Sequence, residues 1–168
     1  MIYKIFSYKK VNSTNDIAIK KIKKGFSRGL VQAEIQKRGR GQHGKKWISY
    51  NGNLFITIFF KINKKISLKK ITFKNCSKIK KAISTLIKKN LTIKRPNDLL
   101  LNKKKICGIL QETIAYNNNL FLVLGIGINL IKSPKIENYS TTNILDEIGI
   151  NASKKIITKN IINEFKYN

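Results

Sequence analysis

The stretch from Gln36 to Trp47, QKRGRGQHGKKW, concentrates residue types that hold anions. It carries three of the ten glycines, two of the four arginines, Lys45, Lys46, and the only histidine and tryptophan of the chain. Glycine-rich backbone exposes N–H groups to close approach, and arginine offers a two-pronged donor, so the segment suits phosphate or a carboxyl-phosphate anhydride. By letters it fits two nucleotide-binding patterns, G-x-G-x-x-G at Gly39–Gly44 and G-x-x-x-x-G-K at Gly39–Lys45. Context excludes both. A dinucleotide fold needs a helix opening at the loop and an acid about twenty residues on, yet no Asp or Glu occurs between Glu34 and Asp98. A P-loop needs Ser or Thr after its lysine, and that place is Lys46. What remains is either a ligand-binding loop between two strands or a solvated basic loop with no ligand. His43 has no metal partner within reach by sequence and reads as a solvated loop residue.

The second segment is KRPND, Lys94 to Asp98, which sets a lysine at a strand end beside a turn fixed by Pro96 and Asn97-Asp98. A cation at such a place can neutralise a carboxylate or a developing phosphate charge.

The elements that must position these segments follow from periodicity. Residues 2–8 alternate as a short strand. In VNSTNDIAIKKIKKG, Ser13 with Asp16 three residues later resembles a capping box, Ile17, Ile19 and Ile22 form an apolar side, and Gly25 ends the helix. Gly29–Ile35 reads as a strand, the glycine-rich loop runs through Gly52, and the apolar run Asn53–Ile62 is a buried strand. From Leu68 to Lys89 apolar residues recur at helical spacing, which predicts one long amphipathic helix. Leu91–Lys94, Leu99–Leu101, Lys105–Ile114 and Leu120–Ile128 read as strands, with a hairpin turn at Tyr116–Asn119. Two short helical stretches follow, near Thr142–Ile148 and Lys154–Phe165. The order predicts a single α+β domain over residues 1–168, with a mixed or antiparallel sheet flanked by helices.

Composition bounds the remaining classes. The formal charge is +27, but 31 of the 35 basic residues are lysine, and isoleucine and asparagine are also abundant. AT-rich codons account for all three enrichments together, whereas selection for nucleic-acid contacts accounts only for the lysines, so composition favours base drift over a basic nucleic-acid-binding module. No apolar run approaches a membrane span and MIYKIFSYKK lacks a signal-peptide pattern, so the expectation is a soluble, cytoplasmic protein without membrane contact. Cys76 and Cys107, each among apolar neighbours, are expected to be reduced, buried thiols.

Five short motifs together resemble the catalytic domain of biotin protein ligases: Ser13-Thr14-Asn15, the Gly39–Trp47 loop, Lys94–Asp98, Lys105–Leu110 (KICGIL) and Gly125–Asn129 (GIGIN), all in that family's order and spacing over roughly residues 8–150. The resemblance implies an enzyme that joins biotin and MgATP into biotinyl-5′-adenylate, then passes the acyl group to a lysine of a biotin carboxyl carrier domain of a carboxylase. Sheet edges in that family often pair into dimers, so the resemblance allows a homodimer without fixing the oligomeric state. The rival reading on the same fold is attachment of lipoate or octanoate, and Ser-Thr-Asn with Gly-Arg-Gly favours biotin.

Carried onto this chain, the resemblance assigns Ser13, Thr14, Asn15 and Gln36 to the ureido ring, whose donors and acceptor they can match. Arg40, Gly41 and Gln42 would lie along the carboxylate and phosphate, with Gly39 and Lys105 at the nucleotide. Lys94, with Arg40, would be catalytic. Trp47 either closes over the ligand or anchors the loop in the core. Asn97 and Asp98 either orient Lys94 or hold Mg2+, Asp98 being the candidate metal ligand. Gly108 would let backbone approach biotin, as would Gly127, and Asn129 would touch the nucleotide. Arg95 stands where the family usually has tryptophan, and Gln42 where some members carry an arginine that retains the adenylate. The chain has neither the N-terminal DNA-binding domain nor the C-terminal barrel of larger relatives, so repressor function is not expected.

Overall fold

In the computed structural model, which describes residues 3–65 and 67–166, strands β1 (Ile5–Val11) and β2 (Arg28–Gln36) are parallel, because helix α1 (Thr14–Lys23) returns the chain between them. The other strands pair antiparallel: β3 (Leu54–Ile62), then, after the long helix α2 (Leu68–Ile87), β4 (Thr92–Lys94), β5 (Asp98–Leu101), β6 (Lys104–Tyr116) and β7 (Asn119–Ile128). Helices α3 (Ile144–Ile148) and α4 (Lys154–Glu164) close the described chain. The result is one mixed sheet in the order β1-β2-β3-β7-β6-β5-β4, flanked by helices as the sequence predicted. The first strand runs Ile5–Val11 rather than 2–8, and Ile2 lies outside the described residues. Among the described residues no helix is long and apolar enough to cross a membrane.

Both faces of the sheet are covered, which is why β3 is buried along its first seven residues. On one face Val31, Phe59, Phe121 and Val123 pack with Ala18 and Ile22 of α1. On the other, Ile56, Ile58, Phe60, Leu122 and Leu124 lie in the larger core with Ile79 and Ile83 of α2 and Ile157 and Ile161 of α4. Each such fully buried side chain contributes about 1.5–3 kcal/mol. Cys76 and Cys107 are free and buried, and burial pushes the Cys76 thiol up to about 11 and the Cys107 thiol well above its ordinary value. The β6–β7 turn is made by Asn117 and Asn118 in the left-handed region (φ 45° and 59°), a conformation that asparagine tolerates.

One local expectation fails. Ser13 is the N-cap residue of α1, but its hydroxyl makes no capping bond, and Asp16 does not reach back to it. Asp16 instead accepts from Arg40 of the glycine-rich loop, at 2.8 Å. A tertiary arginine outcompetes the local cap because it brings a full positive charge to the carboxylate.

The face covered by α1 changes character along β7. Side chains alternate across a strand, so Gly125 and Gly127 continue the row that Phe121 and Val123 begin. In the neighbouring strand Gly108 pairs with Gly127 and Glu112 with Val123. Bulk therefore gives way to a hollow at the ends of β6 and β7.

Candidate active site

The hollow is a cavity of about 580 Å³, and fifteen of the sixteen residues nominated from the sequence, counting Gly127, line it. The exception is Gly39. Its carbonyl accepts from the Trp47 N–H at 2.9 Å, and a Cβ there would meet the Trp47 carbonyl at 2.5 Å, so it closes the loop rather than facing the cavity.

One end of the cavity is a polar bed. The main-chain N–H and hydroxyl of Thr14 both donate to Gln36 Oε1, at 2.8 and 3.0 Å. Asn15 is fixed at both ends of its amide: Oδ1 accepts from the Thr57 hydroxyl at 2.6 Å, and Nδ2 donates to Glu112 Oε2 at 2.6 Å. Because a carboxylate only accepts, the nitrogen must face Glu112, which settles the amide's orientation. Asn15 is thus a strut in the bed, with one N–H left over, whereas the Ser13 hydroxyl is unused as a cap and lies on the cavity wall.

The glycine-rich loop folds back on itself. Arg40 bridges Lys46, Gly41 N–H donates to the Lys45 carbonyl at 2.6 Å, and a tight turn spans Gln42–Gly44 with His43 and Gly44 in the left-handed region. His43 is exposed at the tip, as expected. The Arg40 guanidinium does not stand free for an anion. It donates to Glu112 through both terminal nitrogens, at 2.8 and 2.9 Å, and to Asp16 at 2.8 Å, and the Glu112 bond foremost raises the arginine pKa.

Trp47 packs against two of the nominated glycines. Its indole lies on Gly108 and Gly127, where added Cβ atoms would each come within 2.5 Å of the ring, and it forms a wall of the cavity. The room above these glycines is taken by the tryptophan ring, while Gly108 and Gly127 still line the cavity. The indole Nε1 and the Oδ1 of Asn129 are buried without a hydrogen-bond partner, and both residues border the cavity. Buried polar atoms are ordinarily satisfied, so this donor and acceptor are free to pair with a polar group in the cavity.

The opposite end is cationic. The exposed Lys94, at the end of β4, holds Nζ 4.2 Å from the ring centre of Tyr139. Lys105 on β6 approaches the same ring at 5.4 Å and Trp47 at 5.3 Å. Asp98 forms an ion pair with Lys105 at 2.8 Å and accepts from the Tyr139 hydroxyl at 2.6 Å. Burial first, and then this carboxylate, push the Tyr139 pKa up, so the phenol stays protonated. Asn97 is not hydrogen-bonded to Lys94: its Nδ2 donates to the Ile109 carbonyl at 2.8 Å and pins the turn to β6. Arg95 holds its guanidinium carbon 5.1 Å from the ring centre of Phe73 on α2.

The donor set does not fit a protein-held Mg2+. Among the described residues no three His, Cys, Asp or Glu side chains cluster, and Asp98 is committed to Lys105 and Tyr139. Magnesium prefers several oxygen ligands and retains waters, which these side chains do not offer.

Sequence reasoning missed Glu112, Thr57 and Tyr139. Glu112 was within reach: it is one of only eight acids and lies four residues from Gly108 on the same strand face. Tyr139 sent no signal, because its segment has no periodicity. It is placed by a bridge between Lys105 and Thr141 and by backbone bonds of Lys105 to Ser140 and Thr142.

The biotin/lipoate A/B protein ligase family model matches residues 7–129. The bifunctional ligase/repressor BirA of Escherichia coli strain K12 is 27% identical over 164 residues, covering 93% of this chain and 50% of that protein. A biotin–[acetyl-CoA-carboxylase] ligase of Paracoccus denitrificans is 30% identical over 129 residues, 74% of this chain and 54% of that protein. The chain thus spans about half the length of these curated relatives. The structure of a biotin protein ligase from Aquifex aeolicus in complex with biotin and ATP shares the fold, with a TM-score of 0.82 at 23% identity over 98% of this chain and 69% of that one.

Proposed function

Because the chain belongs to the biotin/lipoate A/B protein ligase family, we propose that it is the catalytic unit of an ATP-dependent biotin protein ligase. The observation that carries this reading is the polarity of one cavity: a hydrogen-bonding bed at Ser13, Thr14 and Gln36, and two lysines at the far end. A ureido ring has two N–H donors and a carbonyl to match the bed, whereas the ring of lipoate has none, so the bed favours biotin over lipoate or octanoate. Between the ends, Trp47 and the glycines of β6 and β7 form an apolar wall suited to a fused ring and an aliphatic chain.

In the first step a biotin carboxylate oxygen attacks the α-phosphorus of MgATP, forming the acyl-phosphate bond and releasing pyrophosphate. Lys94 and Lys105 offset the repulsion between carboxylate and phosphate and then the charge that develops on the phosphate. The Gly41 and Gln42 backbone and the orphaned Asn129 Oδ1 lie along the same wall and supply polar contacts to the adenylate. In the second step the amine of a carrier-domain lysine attacks the acyl carbon, an amide forms and AMP leaves. No side chain of this protein becomes covalently attached, and its contribution is orientation, charge and exclusion of water.

The protein incubated with biotin, ATP, magnesium and a biotin carboxyl carrier domain is expected to label the carrier. Absence of both adenylate and label, from a preparation that is folded, would remove the reading. Labelling with lipoate in place of biotin would transfer it to the rival substrate.

A further inference from the structure

The chain has 35 basic residues and eight acidic ones, so almost any carboxylate can find a lysine. Two of the eight nevertheless converge on a single arginine, and it is the arginine of the glycine-rich loop. Glu112 receives Arg40 in the two-pronged geometry that lysine cannot reproduce, and Asp16 takes the remaining hydrogen of the shared nitrogen. The same Glu112 oxygen that binds Arg40 also accepts from Asn15.

From Asn15 the chain of polar contacts passes to the Thr57 hydroxyl, whose oxygen lies 2.8 Å from that of Thr14, and Thr14 donates to Gln36, whose Nε2 reaches Ser49, at 3.5 Å, on the far side of the loop. Polar contacts therefore start at residue 40, cross β6, α1, β3 and β2, and return at residue 49. The loop is held at both ends by the bed that would receive the ring.

We propose that Glu112 is a positioning residue that latches the glycine-rich loop: one carboxylate fixes the loop through Arg40 and the polar bed through Asn15, so that the two are set together. In this arrangement the Arg40 side chain is a strut between the loop and the sheet. The inference rests on the proposed ligase function only for its catalytic consequence, because the latch itself exists without ligand.

The loop supplies its own probes. Trp47 is the only tryptophan, and Lys37, Arg38, Arg40, Lys45 and Lys46 are trypsin sites. In ligand-free protein Glu112→Gln is expected to speed trypsin cleavage within residues 36–52 about tenfold or more, since cleavage follows the open population, and to red-shift Trp47 emission, with little change in melting temperature. The double variant Glu112→Gln/Arg40→Gln should be no more open than either single one, the mark of a shared interaction. In the ligase assay the biotin KM of Glu112→Gln should rise more than kcat falls.

Unchanged cleavage and emission in Glu112→Gln, or additive effects in the double variant, would overturn the proposal. Should Glu112→Gln not fold, Asp16→Asn at the exposed end of the latch carries the test: faster cleavage supports the latch, and wild-type cleavage overturns it. A chain that cannot activate biotin yet opens on Glu112→Gln would remove the ligase reading and keep the latch. An active ligase whose loop ignores the substitution would do the reverse.

Discussion

Lys94 and Lys105 reach the same tyrosine ring from different surroundings. The Lys105 side chain is 19% exposed and ion-paired, whereas Lys94 is open to solvent. A charge in the less polar environment acts more strongly on a developing anion. We therefore expect Lys105→Ala to lower kcat/KM for adenylation about 100- to 1,000-fold and Lys94→Ala about tenfold, on the scale of losing one electrostatic contact. Pyrophosphate exchange measures both, and equal losses would show that exposure does not rank them. The sequence nominated Lys94 as catalytic and Lys105 as a nucleotide contact, because the turn beside Lys94 is visible in the letters. That Asp98 and Tyr139 hold Lys105 inside the site depends on contacts 7 and 34 residues away, which no local pattern records.

At the scale of elements, the strands β6 and β7 make the site by what they leave out. A Cβ at Gly127 would lie 2.5 Å from the Trp47 indole, so the ring must swing off the sheet to admit it. Gly127→Ala is expected to red-shift Trp47 emission and to weaken biotin binding about tenfold, while overpacking costs about 1–3 kcal/mol of stability. Calorimetric titration and melting curves separate the two effects, and unaltered emission would mean that the indole does not depend on this glycine. The long helix and the buried central strand were legible because their spacings repeat over many residues. The capping box on α1 was legible too, and wrong, since a local rule competes poorly with a charged partner brought by the fold.

Across the whole molecule, the segment after β7 is fastened back onto the sheet through Glu147. Its carboxylate accepts from Asn102, Lys104 and Thr142, and these hydrogen bonds, Asn102 foremost, hold its pKa below the usual 4.5. Because the folded value lies below the unfolded one, this stabilisation is complete above the ordinary glutamate range and is lost as pH falls through the folded value. Glu147→Gln should accordingly melt below the wild type near neutrality, with the gap closing as the solution is acidified beneath that range. A gap that persists at low pH would mean that the charge is not what ties the segment. Thr142, one of the three donors to Glu147, also donates its N–H to the Lys105 carbonyl, within the set of backbone bonds that places Tyr139.

The sequence by itself determined the class of sheet, the long helix, the strands and the set of residues that meet in one cavity, because periodicity and five ordered motifs are properties of neighbouring letters. Only the tertiary structure decided what each of those residues does there. Arg40 belongs to Glu112, Asn15 to Glu112 and Thr57, Trp47 to two glycines, and Asp98 to Lys105 and Tyr139. The physical reason is that a polar side chain takes the strongest partner within about 3 Å, and at 72 residues' separation, as between Arg40 and Glu112, only the fold brings that partner near.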